Sequence, residues 1–115
     1  MGGGARLQDP VALAIGDARQ LYVADAGQDA VLVYDRFGTF RRRVPVPPLP
    51  NMQALTVHRG RLHIVSADTV RIWDQSNAQM TEHSVDLPKP LVDVARSDGD
   101  VYVLTESRLL RKDGW

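Results

Sequence analysis

Apolar residues come in short runs of about five, each broken by glycine, aspartate, asparagine or proline, the pattern of half-buried strands rather than helices. Val11–Ile15, Leu21–Asp25 and Val31–Asp35 form one such series. Met52–Val57, Leu62–Ser66 and Val70–Asp74 form a second, and Leu91–Arg96, Val101–Thr105 and Leu109–Asp113 a third. Turn chemistry lies between the runs at Gly16-Asp17, Arg36-Phe37-Gly38, Arg59-Gly60 and Ser97-Asp98-Gly99. No segment keeps a 3.6-residue apolar period over three turns, so no helix is expected.

The three series repeat each other. Leu21, Leu62 and Val101 are equivalent, as are Asp35, Asp74 and Asp113. The period is about 40 residues, with three short strand signals in each unit, which is the signature of propeller blades and not of a helical solenoid. A complete unit reads as four antiparallel strands, A to D. In the first, A is about Val11 to Ile15, B about Gln20 to Asp25, C about Ala30 to Asp35 and D about Thr39 to Val44. Pro45, Pro47, Pro48 and Pro50 cannot donate to a ladder and read as the connector to the next blade.

The first unit also resembles a known family. Asp9-Pro10 and Leu13, followed by Leu21–Asp35 with its Ala24-Asp25-Ala26-Gly27 turn and then Phe37-Gly38, is similar to an NHL repeat. The second and third units depart from that pattern, with Ser66-Ala67-Asp68 and Thr105-Glu106-Ser107 where the turn would stand. The resemblance implies a β-propeller, commonly six-bladed, used chiefly as a binding and scaffold platform. A fold shared by many tasks does not name one.

Three blades cannot close a ring, since propellers have roughly four to eight. An open arc would expose a sheet face on each end blade, beyond the roughly 300–600 Å² patch of an ordinary monomer. The units divide as residues 1–8, a latch strand; 9–50, blade 1; 51–88, blade 2; and 89–115, strands A to C of blade 3. Arg6-Leu7-Gln8-Asp9-Pro10 parallels Asp86-Leu87-Pro88-Lys89-Pro90, the end of a D strand. The expectation is a homodimer of two arcs forming a six-bladed ring. Arg6, Leu7 and Gln8 of one copy would pair beside Leu109, Leu110 and Arg111 of the next, with Trp115 packed nearby. A piece of a longer propeller is the competing reading.

Composition adds exclusions. The chain has 115 residues, 14 basic and 14 acidic side chains and no cysteine. Zero formal charge argues against a globally basic nucleic-acid binder. No cysteine means no disulfide, thiolate metal site or thiol nucleophile. No run approaches the roughly 18 apolar residues of a membrane span, and no signal peptide is visible, so the chain reads as soluble. Arg41-Arg42-Arg43 is the one basic run, on an outer strand where charge guards an edge. The loops on the D–A and B–C side are acidic and would repel phosphate, so nucleic acid is not expected there.

Chemistry is sparse. His58, His63 and His83 lack zinc spacing, and no serine has a base placed beside it. No catalytic residue, metal ligand or cofactor is therefore assigned. Asp25 and Asp29 flank the B–C turn, where Asp25 would cap backbone N–H groups and Gly27 would take a positive φ. Candidate ligand-binding positions, at strand-A starts near the ring axis or on the B–C face, are Asp9, Asp25, Asp29, Asn51, Gln53, Asp68, Asp93 and Glu106.

The strand pattern places Leu13, Ile15, Leu21, Val23, Val31, Val33, Leu55, Val57, Leu62, Ile64, Val70, Ile72, Val92, Val94, Val101 and Val103 in the layers between blades. The reading that results is an all-β arc of three four-stranded blades acting as a non-catalytic, self-assembling scaffold for a protein or small ligand. Two alternatives stand beside it: a lactonase-like propeller hydrolase or lyase with a metal on the ring axis, and an RNA-binding module.

Overall fold

The computed structural model describes residues 7–46, 52–83, 90–97 and 99–113. Arg6, Asn51 and Trp115 lie outside them. The first sheet runs β1 (Pro10–Ile15), β2 (Leu21–Asp25), β3 (Ala30–Tyr34) and β4 (Phe40–Pro45). The second runs β5 (Met52–His58), β6 (Arg61–Ser66), β7 (Val70–Asp74) and β8 (Gln79–His83). The third, β9 (Leu91–Ser97), β10 (Asp100–Thr105) and β11 (Leu109–Asp113), has three strands among the described residues. Each sheet is an antiparallel meander whose strands follow chain order. This is three blades of a β-propeller. The innermost strands β1, β5 and β9 neighbour one another in turn.

Local chemistry makes the turns. Arg59 (φ 50) and Gly60 (φ 76) form a two-residue connection under the pair His58↔Arg61. Positive φ at both positions is the primed hairpin turn that matches strand twist, and glycine suits its second place. Between β1 and β2 a single 3-10 turn, Asp17–Arg19, carries Ala18 (φ 57) and Arg19 (φ 58). That turn departs from the helix-free expectation by three residues. Among the described residues no helix is long and apolar enough to cross a membrane.

The core lies in two layers between blades. Tyr22, Ala24, Val31, Val33 and Val44 of blade 1 meet Leu55, Leu62 and Ile64 of blade 2. On the far side of blade 2, Val65, Val70 and Ile72 meet Leu91, Val94, Val101 and Val103 of blade 3. Thr56 Oγ1 donates to the Val94 carbonyl, and the Leu91 N–H donates to the Ala67 carbonyl at 2.7 Å, tying blades 2 and 3 polarly as well. Gly16 is fixed by the first layer: a Cβ there would overlap the Tyr22 ring and come within 2.9 Å of Val57 Cγ1.

Ten of the sixteen expected core side chains are buried, but blade 1 differs. Leu13 and Ile15 are 65% and 69% exposed, and Leu21 and Val23 are half-buried. Successive residues of a strand point to opposite faces. The layer against blade 2 is built from Ala12, Ala14, Tyr22 and Ala24, so Leu13 and Ile15 face the side away from blade 2. Val57 and Val92 are half-buried.

Candidate functional site

Asp25 is the most constrained polar residue of the loop side. It is fully buried at the end of β2. Its Oδ1 accepts from the N–H groups of Asp9 (2.8 Å) and Gly27 (3.0 Å), and its Oδ2 from Gln8 N–H (2.7 Å) and Gln28 Nε2 (2.9 Å). Burial pushes its carboxyl up, yet the hydrogen bonds from Gln8, Asp9, Gln28 and Gly27 outweigh that and hold it below the ordinary carboxylate value. Both oxygens are thus engaged in clamping the segment before β1 onto the turn after β2. Gly27 is not among the positive-φ residues. Glycine is required there because a Cβ would come within 2.8 Å of Gln8 Cβ. Asp29 takes the positive φ instead, at 50°.

The other predicted ligand positions do not gather. Asp9, Asp29, Gln53, Asp68, Asp93 and Glu106 are exposed on separate turns and strands. Asp68 accepts from Ser66 Oγ at 3.3 Å, and Asp93 Oδ1 takes the Val94 N–H at 2.7 Å. Among the described residues no three histidine, aspartate or glutamate side chains converge as a metal site would require. Of the predicted interface positions, Arg6 and Trp115 lie outside the described residues. Leu7, Gln8 and Leu109 are exposed and Leu110 is half-buried, while Arg111 reaches Asp100 at 4.0 Å.

The basic run of β4 is divided between the two faces of the blade. Arg42 Nη2 donates to Gln75 Oε1 (2.7 Å) and to Tyr22 Oη (3.3 Å), bridging blades 1 and 2. Arg43 turns back and donates to the Gln28 side chain and carbonyl (2.8 and 3.0 Å). Two of the three guanidiniums are thereby engaged within the chain, which weakens the run as a phosphate-binding stripe.

Two cavities open around the A–B and C–D turns, opposite the loops that sequence reasoning favoured. One, of about 540 Å³, lies between blades 1 and 2 beside Tyr22, Arg42, Gly60 and Gln75. Another, of about 290 Å³, lies where Arg61, Asp74, Thr81 and His83 of blade 2 face Arg96 of blade 3. Arg61 Nε is 3.6 Å from Asp74 Oδ2, and Asp74 also accepts from the Ser76 N–H and hydroxyl. Arg96 Nη1 donates to His63 Nε2 at 3.3 Å, and the Arg61 carbonyl lies 3.3 Å from His63 Nδ1. A carbonyl can only accept and a guanidinium only donate, so those two partners place the imidazole proton on Nδ1. Burial first, and then the charge of Arg96, push the His63 pKa down to about 4. The sequence held one signal for this site, the concentration of Arg59, Arg61, Arg96 and Lys112 near one end of the blades.

A third hollow, of about 180 Å³, is apolar and sits on the outer face of blade 3 beside Ala95, Tyr102, Leu104 and Leu109. Leu104 and Leu109 are 40% and 69% exposed.

No family model matches the chain, and no curated protein matches it. Solved structures do. Hsv2 of Kluyveromyces lactis superposes with a TM-score of 0.70 at 16% identity, over 93% of this chain and 33% of that one. Virginiamycin B lyase of Staphylococcus aureus gives 0.59 at 11% identity, over 91% and 41%. A streptogramin B lyase structure gives 0.60 at 12% identity, over 96% and 42%. The chain therefore spans a third to two-fifths of the length of these propellers. At such identities the likeness establishes the fold alone: the chain is an arc of a β-propeller.

Proposed function

We propose that this chain is a non-catalytic, NHL-like propeller arc that closes a six-bladed ring with a second copy and serves as a scaffold for a protein or small ligand. The observation that carries the reading is the pair of uncovered blade faces. Leu13 and Ile15 stand exposed on blade 1, and Leu104 and Leu109 border an apolar hollow on blade 3. Inside the arc, equivalent faces are buried in continuous aliphatic layers. Removing the outer faces from water is worth roughly 25 cal/mol per Å² of apolar surface. In a head-to-tail ring the blade 1 face of one copy covers the blade 3 face of the other, and the contact closes after two copies.

Strand β11, the edge of its sheet among the described residues, adds a further pairing surface at that junction. In the ring, Arg6 and Leu7 of the neighbour extend along Leu109–Arg111, with Trp115 beside them. Gln8 marks the limit of that pairing, because its N–H is held by Asp25 of its own chain.

Solution mass tests the proposal. Sedimentation equilibrium should give about twice 12.7 kDa at micromolar concentration. Ile15→Asp and Leu109→Asp should each convert the dimer to monomer, since each buries an unpaired charge at the junction. A wild-type chain that stays monomeric, or a dimer indifferent to both substitutions, refutes the ring.

A further inference from the structure

The groove between blades 2 and 3 holds a cation, Arg96, that no described residue neutralises. Among the described residues Arg96 meets no carboxylate, and its Nε is buried without a hydrogen-bond partner. Its one polar contact among those residues is the ring of His63, an uncharged acceptor at neutral pH. Burial, and then the charges of Arg61 and Arg59, push the Arg96 pKa down. Lys112 and Arg96 act on His83 in the same direction, after burial. The one acid lining the groove among the described residues, Asp74, is already occupied by Ser76 and Arg61. A half-buried cation among other cations, with no counter-ion, is costly unless something of opposite charge enters.

We propose that this groove is a binding site for the phosphate group of a small soluble ligand, held between Arg61 and Arg96. Guanidinium forks suit phosphate, since they offer parallel donors to adjacent oxygens and release their hydration more readily than an ammonium does. The volume of about 290 Å³ accommodates a phosphate with room for the group that bears it. Arg61 stands at the start of β6 and Arg96 near the end of β9, so the site is built on two rigid strands. Thr81 adds a hydroxyl, and Asn77 and Gln79 add amides, from the turn and strand that wall the groove. Both blades belong to one chain, so this site is independent of the ring proposed above and persists if that ring does not form.

The test is a titration of the wild-type chain with inorganic phosphate and with pyrophosphate, at constant ionic strength, followed by backbone amide shifts and by thermal melting. Saturable shifts confined to β6, β7, β8 and β9, with a raised melting temperature, are expected. Acetate at the same ionic strength should produce neither. Arg96→Gln and Arg61→Gln should each weaken pyrophosphate binding about tenfold, the usual loss for one charge-assisted hydrogen bond. Arg41→Gln, on β4 of blade 1, should leave it unchanged. Arg61 is half exposed, so Arg61→Gln remains a folded reporter if Arg96→Gln unfolds the blade. A linear, unsaturable response of the wild-type chain overturns the proposal, as does full affinity in Arg61→Gln.

Discussion

His63 lies fully buried on β6, with its ring against Arg96 and the Arg61 carbonyl. Burial and the Arg96 charge hold its pKa at about 4, against 6.5 for a free imidazole. Above pH 6.5 the ring is neutral in both folded and unfolded chains, and it costs nothing. As the pH falls below 6.5 the unfolded chain takes up a proton that the folded chain refuses, so stability declines until the folded ring itself protonates near 4. A gap of roughly two and a half pH units, at about 1.4 kcal/mol per unit, removes about 3–4 kcal/mol across that window. Urea unfolding followed by circular dichroism should show a falling midpoint between pH 6.5 and 4. His63→Gln should flatten that decline while lowering stability at pH 7. An imidazole resonance of His63 titrating near 6.5 in the folded protein, or an unchanged pH slope in His63→Gln, would show that the fold does not hold this ring neutral.

Asp25→Asn should cost about 2–4 kcal/mol, because an amide cannot accept from all four donors now held by the carboxylate; urea midpoints measure it, and a loss below about 0.5 kcal/mol would contradict the clamp. The depressed Asp25 pKa supplies stability that is fully present above the ordinary carboxylate value of about 4 and is lost as pH falls through the lower folded value, a decline that Asp25→Asn should lack. Gly16→Ala should destabilise by about 1–3 kcal/mol through its overlap with Tyr22 and Val57, and a neutral result in thermal melts would place that contact wrongly. Arg59→Asn should raise stability by up to about 1 kcal/mol, since asparagine accepts the left-handed backbone of the hairpin turn more readily than arginine; a lower melting temperature would count against the turn assignment.

The blades were readable because strand alternation and turn residues are local signals. Val31, Val33, Leu62 and Val101 sit in runs whose character needs no knowledge of distant contacts. Which face of a terminal blade meets a neighbour is different. Both faces of β1 and β2 are apolar, and only the stacking order decides that Ala12, Ala14 and Tyr22 face blade 2 while Leu13 and Ile15 face out. The expected ligand set followed the acidic loops, where Asp25 proves to be a clamp and the exposed acids stand apart. The groove was harder to foresee, since Arg61, His83 and Arg96 come from three strands of two blades. Arg96 lies 33 residues from His63, and no motif length announces such a meeting.

Among the described residues blade 2 alone is covered on both faces, its Leu55, Leu62 and Ile64 by blade 1 and its Val65, Val70 and Ile72 by blade 3. In a linear stack, each unit's resistance to opening depends on its immediate neighbours. Amide hydrogen exchange in the isolated arc should therefore be graded from the middle outward. The N–H groups of β6 and β7 should exchange only through global unfolding, while those of β1 and β11 open by local fraying. Covering the two end faces would erase that gradient, making the exchange rates of the outer blades a direct gauge of how much of the arc is buried by what surrounds it.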